Sequence, residues 1–570
     1  MIKKALFCTL NSKYIHSSLA PWCLFTACRA EGVSCEIKVS EGTVNEDIKE
    51  VYDRIISEKP DFVSFSCYIW NIKKTLRLCS MLKEKGIVIA LGGPEVSYCQ
   101  KAVLESNPFV DFALSGEGEK TVPALLRALI AGDKTDISGV SYRSGDRLII
   151  SQGTPIDFEK TASPYCEEYF SVLGTRIAYI ESSRGCPFSC AFCLSGRCGK
   201  VRFLPLDRVK GEMLMLTANG AKTVKFVDRT FNCNANRAYE ILSFIKEEYG
   251  RKIPRGVCFH FEIAADILTE ELFDIIGTLP KGAVQFEVGI QSFNENTLKK
   301  INRRTDTASV EANVKRLLSF GNCHVHIDLI AGLPQEDYDS FVSGFNRAYN
   351  IGANMLQLGF LKILHGSPMC ENKQEYPCTY SSEPPYEVIS TPYISEKELG
   401  LLHICENEIE RLYNSARFPR TLSYVTRFMP SYDLFLGFGE FLLARGEKGS
   451  IPLDKYTCLA YEYFSVIRGI DKIKLRDLML LDRLSTNNSD ILPSCLKLQD
   501  DRLKKLKQHL AQAVPLKKGA VRSVGILYSE NTAVYCDYDK EKDPVTLQWK
   551  INRISLDRLP PFKSETPKSR

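Results

Sequence analysis

No stretch of this 570-residue chain is an apolar run of the ~20 residues that a membrane-spanning helix needs, so no membrane partner is expected. An excess of charge is missing too. Lys and Arg number 74 against 69 Asp and Glu, and a net charge of +5 over this length gives no footprint for a nucleic-acid partner. The N-terminus, Met1 to Cys8, has two lysines but runs directly into a short strand pattern, without a sustained apolar region or a cleavage site. No signal peptide is read there, and a cytoplasmic location is expected. Histidine is sparse as well: His16 is the only one ahead of residue 180.

A hydrophobic fraction of 44% and a charged fraction of 25% are those of an ordinary globular protein. The length implies roughly three to four domains at ~100–200 residues each. The 21 cysteines are scattered from Cys8 to Cys536, and without a secretion signal they read as reduced thiols, which suits an anaerobic or strongly reducing cell.

Three of these cysteines stand apart. In Ile180-Glu-Ser-Ser-Arg-Gly-Cys186-Pro-Phe-Ser-Cys190-Ala-Phe-Cys193-Leu-Ser-Gly-Arg-Cys198, Cys186, Cys190 and Cys193 follow C-x3-C-x2-C spacing on a loop opened by Gly185 and Pro187. Such a loop can aim three thiolates at one point, and soft thiolates are the ligands of iron–sulfur clusters. Three would hold a four-iron cube and leave one iron open to a chelating molecule. Ordinary buried cysteines are the bland reading. Zinc would call for a second C-x2–4-C knuckle or histidines at matching spacing, and none follows. Cys198 as a fourth ligand would close the site and favour electron transfer or a non-enzymatic carrier.

Residues 1–150 alternate apolar runs with helical patterns, the runs falling at 4–10, 34–39, 62–67, 87–91 and 110–114. Strands that are apolar on both faces and spaced by helices argue for a doubly wound parallel sheet, a Rossmann-like fold. Its ligands bind at the carboxyl ends of the strands. Those ends carry Tyr68 and Trp70, the turn Gly92-Gly93-Pro94, and the turn Gly116-Glu117-Gly118-Glu119. Glycines there let a ligand approach the backbone. A hairpin at 140–150 closes the unit, and 151–175, with Pro155 and Pro164, reads as a linker.

Residues 176–370 resume the alternation, with strand runs at 176–181, 223–227, 257–263, 284–290, 324–330 and 356–363. Six strand–helix units predict a partial, open (β/α)6 barrel with its chemistry at the carboxyl-terminal rim. Asp228, Glu262, Glu287, Gln291, Ser292 and Asp328 fall at or near strand ends. Acids inside apolar strands are costly to bury unless paired, so they point to a polar or cationic ligand. His324 and His326 share one face of a strand, where hydrogen-bonded core is the commoner reading. His365 is a proton-transfer candidate by its position at the rim.

The cysteine loop, with Phe192 before its last cysteine, resembles the cluster motif of the radical SAM superfamily. The resemblance implies a [4Fe-4S] cluster on Cys186, Cys190 and Cys193, whose open iron chelates S-adenosylmethionine, and reductive cleavage to a 5′-deoxyadenosyl radical. It places Phe192 beside the adenine. Gln291-Ser292 and Asp328-Leu-Ile-Ala-Gly-Leu-Pro334 resemble later motifs of the group that includes coproporphyrinogen oxidases and methylthiotransferases. By that resemblance Glu262 and Glu287 are the better candidates for the methionine or ribose groups, and Asp328 is structural. The order of the glycine turns in 1–150 is similar to the cobalamin-binding domain fused ahead of radical SAM domains. The Asp-x-His-x-x-Gly pattern that supplies a histidine to cobalt is absent, and His16 reads as a surface or capping residue.

The expectation is therefore a cobalamin-dependent radical SAM enzyme that methylates an unreactive centre of a small-molecule substrate and takes its electron from an external donor such as flavodoxin or ferredoxin. Oxidative cyclisation or ring rearrangement without methyl transfer is the nearest alternative. An RNA-modifying methylthiotransferase would need a second cysteine triad, and Cys8, Cys23, Cys28 and Cys35 lack its spacing. Residues 371–570 read as a mostly helical α+β cap of unassigned role. Its basic run at 502–507 reads as a solvated helix face, and the tail from Pro560 as disordered.

Overall fold

The computed structural model describes residues 2–556 apart from 134, 498, 499 and 518, together with the backbone but not the side chain of Cys198; the tail from Pro560 lies outside the described residues. The chain divides into two compact units, one formed by residues 1–341 and 359–396, the other by 342–358 and 397–570.

The first unit begins with seven strands: β1 (Lys4–Asn11), β2 (Glu36–Thr43), β3 (Phe62–Ser66), β4 (Val88–Gly92), β5 (Phe112–Leu114), β6 (Val140–Ser144) and β7 (Arg147–Ile149). They form one sheet in the order β2-β1-β3-β4-β5-β6-β7. β1 to β5 are parallel, and the hairpin β6–β7 adds an antiparallel edge beside β5. β3 is buried at every position, as a strand covered on both faces must be. β2 extends through Ser40-Glu41-Gly42-Thr43, beyond its last apolar residue, because each of its positions is paired with β1 up to Asn11 opposite Thr43.

The 151–175 segment, read from sequence as a linker, contains the helix Glu167–Leu173. Its Tyr169 is fully buried and packs edge-on against Trp22, ring centroids 5.7 Å apart. Tyr165 Oη donates to the Tyr179 carbonyl at 2.7 Å. Its prolines punctuate the backbone, but its aromatics fix it to the core.

The second sheet contains β8 (Ala178–Ile180), β11 (Thr223–Phe226), β12 (Cys258–Ile263), β13 (Val284–Gln291), β14 (His324–Ala331) and β15 (Met355–Phe360), arranged in chain order, while β9 (Ser183–Arg184) and β10 (Arg202–Phe203) form a separate two-strand ribbon. The pairs from β8 through β14 are all parallel. Chain order with parallel pairing is the topology of an open (β/α)6 barrel. Odd-numbered residues of β12, Phe259, Phe261 and Ile263, are buried toward the covering helices, so the even-numbered His260 and Glu262 take the opposite face.

The second unit is mainly helical, with Ser431–Ala444, Leu453–Phe464 and Lys472–Thr486 among its helices, and ends in a three-stranded antiparallel sheet, Arg522–Leu527, Thr532–Asp537 and Asn552–Ser555. The basic helix Asp501–Ala513 buries Leu506 and Leu510 against that sheet, which leaves its lysines on the outer face. Asp482 is fully buried and accepts from the Thr421 amide (2.9 Å), the Thr421 hydroxyl (2.7 Å) and Arg420 Nη1 (3.1 Å). Burial pushes its carboxyl up to about 6. Asp482→Ala strips an acceptor from four donors at once, the Arg420 amide at 3.2 Å being the fourth, and should lower stability by about 3 kcal/mol, measured as a fall in the urea midpoint of the C-terminal transition.

Candidate active site

The cysteine loop spans the arms of the ribbon, since β9 and β10 pair antiparallel through Arg184 opposite Arg202. Gly185, at φ +102°, turns the chain out of β9. Asp228 pins the base of the ribbon: it is buried and accepts from the Ser182 amide (2.7 Å), the Ser182 hydroxyl (2.5 Å) and the Ser183 hydroxyl (2.7 Å). Burial pushes its carboxyl up and these hydrogen bonds oppose the rise. On the other side Asn302 Nδ2 donates to Ser189 Oγ (2.5 Å), Ala191 N to Ile301 O (2.9 Å) and Met369 N to Ala191 O (3.1 Å).

Within the loop, Cys190 is buried with Arg303 Nη1 3.6 Å from its sulfur, Cys186 Sγ lies 3.5 Å from Thr230 Oγ1, and the Ser195 amide is 3.4 Å from Cys193 Sγ. Burial pushes the Cys190 thiol up; Arg303 opposes this, and the Cys193 and Cys186 sulfurs are close enough to add to the rise. Phe192 is half-buried between the last two cysteines. Three sulfurs converging from one loop, with a guanidinium beside one of them, fit an iron–sulfur cluster. The side chain of Cys198, the candidate fourth ligand, lies outside the described residues.

Beside the loop, a cavity of about 660 Å³ opens between the carboxyl ends of β1, β3, β4 and β5 and those of β8, β11 and β12. It is the feature that joins the two sheets' functional edges. Tyr68, Trp70, Gly92, Gly93 and all four residues of the Gly116–Glu119 turn line it from one side, and Glu262 lines it from the other. Tyr68 and Trp70 stack with centroids 4.4 Å apart, and Trp70 Nε1 donates to the Leu10 carbonyl at 3.1 Å. Pro94 opens the short helix Pro94–Ser97 behind the glycines.

The glycines have reasons of their own. A Cβ on Gly93 would stand 2.6 Å from the Cys67 carbonyl oxygen, one on Gly116 would stand 3.1 Å from Gly153 Cα, and one on Gly118 would stand 2.7 Å from Leu24. At Gly93 and Gly116, both with positive φ and backbone close by, the lack of a side chain is demanded by the chain itself, whereas at Gly118 only the end of the Leu24 side chain would have to move. A Cβ on Gly92 meets only ordinary contacts, at 3.6 Å or more, so packing does not require glycine there.

Glu117 and Glu119 face arginines. Arg184, only 15% exposed, reaches Glu119 (2.5 Å), Glu181 (2.9 Å) and Glu117 (3.4 Å), and Arg202 reaches Glu117 (2.5 Å). Burial alone would lower the Arg184 guanidinium, but Glu119 and Glu181 hold its proton firmly. His16, read from sequence as a surface or capping residue, lines the cavity and shares a 2.7 Å hydrogen bond with Tyr179 Oη, and burial lowers its proton affinity.

Glu262 and Glu287 sit side by side on β12 and β13, and Glu287 lies opposite His326 on β14. Lys225 Nζ is 2.9 Å from Glu287 Oε2 and 4.0 Å from Glu262 Oε1, and His260 Nε2 is 2.8 Å from the same Glu287 oxygen. Burial works against the charge on Glu287, yet His260 and Lys225 overcome it and hold the carboxyl far below the usual range. Glu262 lacks such partners: burial pushes it up to about 7, with Arg229 opposing. Gln291 adopts a left-handed backbone, φ +73°, at the irregularity where β13 slips its register with β14. Ser292 turns away and donates to the buried Glu336 at 2.5 Å. His365 packs edge-on against Tyr386, centroids 4.8 Å apart, and Tyr386 Oη donates to Glu95 at 2.7 Å. His365 is not among the residues lining the cavity.

Residues 180–345 match the Radical SAM superfamily, residues 6–126 match the B12 binding domain, and residues 374–524 match a family described as a protein of unknown function, DUF4080. The chain carries a radical SAM domain behind a B12-binding domain. The first domain thus supplies one wall of the cavity and the radical SAM domain supplies the cysteine loop and the opposite wall.

Among curated relatives, the cobalamin-dependent radical SAM methyltransferase TokK of Streptomyces tokunonensis is 28% identical over 354 residues, which cover 56% of this chain and 49% of that protein. The anaerobic magnesium-protoporphyrin IX monomethyl ester cyclase of Cereibacter sphaeroides is 21% identical over 318 residues, 53% of this chain and 51% of that one. The chain therefore spans about half the length of these relatives. In fold it is similar to the cobalamin-dependent S-adenosylmethionine radical enzyme OxsB, with a TM-score of 0.60 at 13% identity, covering 90% of this chain and 81% of that one. It is also similar to the radical S-adenosylmethionine methyltransferase TsrM from Kitasatospora setae, with a TM-score of 0.55 at 17% identity over 68% and 79%.

The functional residues that sequence reasoning passed over are Arg184, Lys225, His260 and Arg303. Lys225 and His260 carried a usable signal, a polar residue at the alternate position of an apolar strand. Glu262 yields a pH-dependent prediction. Its folded-state value near 7 exceeds the ordinary 4.5, so ionising it disfavours the fold, and the penalty grows from pH 4.5 to 7 and stays constant above. Glu262→Gln should therefore raise unfolding stability at pH 8 by up to about 3 kcal/mol. The gain should shrink as the pH falls toward 4.5, as followed by chemical denaturation at a series of pH values.

Proposed function

We propose that the chain is a cobalamin-dependent radical SAM enzyme that transfers a methyl group to an unreactive centre of a small-molecule substrate. The observation that carries this reading is the cavity itself, bounded by the carboxyl ends of both sheets and by the cysteine loop. A corrinoid on one wall and a cluster-bound sulfonium on the other would then face one space, as the chemistry of methyl transfer between them demands. TokK and TsrM, to which the chain is similar, are both methyltransferases, which supports the same reading.

When bound, the cluster with S-adenosylmethionine supplies a carbon-centred radical and cobalamin supplies a methyl carrier. The protein's residues position and shield. Cys186, Cys190 and Cys193 would hold the cluster, and Arg303, 3.6 Å from Cys190 Sγ, places positive charge where electron density would arrive. Glu262 and Arg229, both on the cavity wall, offer a carboxyl and a guanidinium to a zwitterionic cofactor. Tyr68 and the bare backbone of Gly92 offer a flat surface to a corrinoid. Glu117 and Glu119, already engaged by arginines, serve to hold the wall rather than to meet a ligand.

The experiment is an anaerobic reaction of protein reconstituted with iron, sulfide and cobalamin, supplied with a reductant and methyl-labelled S-adenosylmethionine. The expected outcome is 5′-deoxyadenosine and methionine, with label entering a small-molecule acceptor, and loss of both in Cys190→Ala. Cleavage with no label transferred to any acceptor would favour a cyclase-type reaction, the class to which the Cereibacter sphaeroides relative belongs. Absence of cleavage in protein carrying a full complement of iron would overturn the enzyme reading.

A further inference from the structure

The face of the second sheet that bears His260 and Glu262 holds a second constellation with no part in the reading above. Glu287 on β13 lies opposite His326 on β14, and Asp328 follows two residues later, so all three project to that same side. One ligating atom from each lies within 4.8 Å of the others. Metal bonds of ~2.0–2.2 Å set ligand atoms about 3–4.4 Å apart, so the triad stands close to coordination distance.

The buried atoms have little besides each other. His326 Nε2 and Asp328 Oδ1 stand 2.9 Å apart as an ion pair, and neither atom has any further hydrogen-bond partner. The His326 side chain is only 8% exposed, so water does not make up the loss. A buried polar atom left in this state costs ~1–3 kcal/mol. A cation between them would use both lone pairs. Glu287, by contrast, is already oriented: its Oε2 takes contacts from His260 at 2.8 Å and Lys225 at 2.9 Å, which is how outer residues commonly hold a ligating carboxylate.

We propose that Glu287, His326 and Asp328 form a binding site for a divalent cation, distinct from the cysteine loop. One imidazole and two carboxylates, with no sulfur, suit Mn²⁺, Fe²⁺ or Zn²⁺ and disfavour soft ions such as Cu⁺. The competing occupant is a proton, which would make His326 and Asp328 a simple ion pair.

The test uses the full chain and Mn²⁺ alone, with free Mn²⁺ read by electron paramagnetic resonance. Wild-type protein should bind one equivalent. His326→Gln and Asp328→Asn should each weaken binding by more than the ~10–100-fold that loss of an outer contact produces, and Glu287→Gln should behave alike. A Cys186→Ala, Cys190→Ala, Cys193→Ala triple variant should still bind, which separates this site from the cluster loop. Circular dichroism spectra and thermal midpoints identify any variant that fails to fold, and the remaining ones then carry the comparison. A wild-type protein that binds no stoichiometric Mn²⁺, or binding that survives in folded His326→Gln and Asp328→Asn, would overturn the proposal and leave the proton as occupant.

Discussion

The charge held by Arg184 is the interaction on which the rest of the site depends. A guanidinium removed from water is tolerable only when surrounded by carboxylates, and Arg184 has three: Glu117 and Glu119 from the B12-binding domain and Glu181 from the radical SAM domain. It lies two residues ahead of Cys186. A residue at the start of the cysteine loop thus ties it to the neighbouring wall, and Arg202, across the ribbon, repeats the tie through Glu117. Contacts of lesser energy follow the same seam. Tyr165 and Tyr169 stitch the intervening segment to Tyr179 and Trp22.

A second constraint governs the polar face of the second sheet. Parallel strands covered by helices ordinarily leave a barrel interior of branched aliphatic residues, whereas here the alternate positions of β11 to β14 carry Lys225, His260, Glu262, Glu287, His326 and Asp328. Burial makes each of these charges unfavourable alone, so they distribute into partnerships of unequal quality. Glu287 is well served and stays ionised, while Glu262 is poorly served and sits near neutrality. Unequal environments for adjacent acids are what divide binding from proton-handling roles in one pocket.

The architecture was legible because helical patterns separate the runs of both sheets, those of the first sheet such as β3 being buried on both faces and those of the second alternating apolar with polar residues. All six runs of the second sheet and all five parallel runs of the first correspond to strands. The cysteine loop was legible for a related reason: its spacing is local. What escaped were residues whose meaning depends on partners far away in sequence. Arg184 is an unremarked basic residue until residues 117 and 119 are folded beside it, 67 and 65 positions upstream. The segment 151–175 was misjudged because its two prolines outweighed Tyr165 and Tyr169, whose burial could not be foreseen locally. The glycine turns lie at the cavity, and for Gly93 and Gly116 the chain's own packing accounts for the glycine.

The close approach of Gly93 to the Cys67 carbonyl changes what that residue can report about the protein's history. A side chain is barred there by architecture alone, so descendants that had abandoned the corrinoid would keep Gly93 for as long as they kept the fold. Gly92, under no such compulsion, would drift first. Of the two glycines, Gly92 is the one whose identity the packing leaves open.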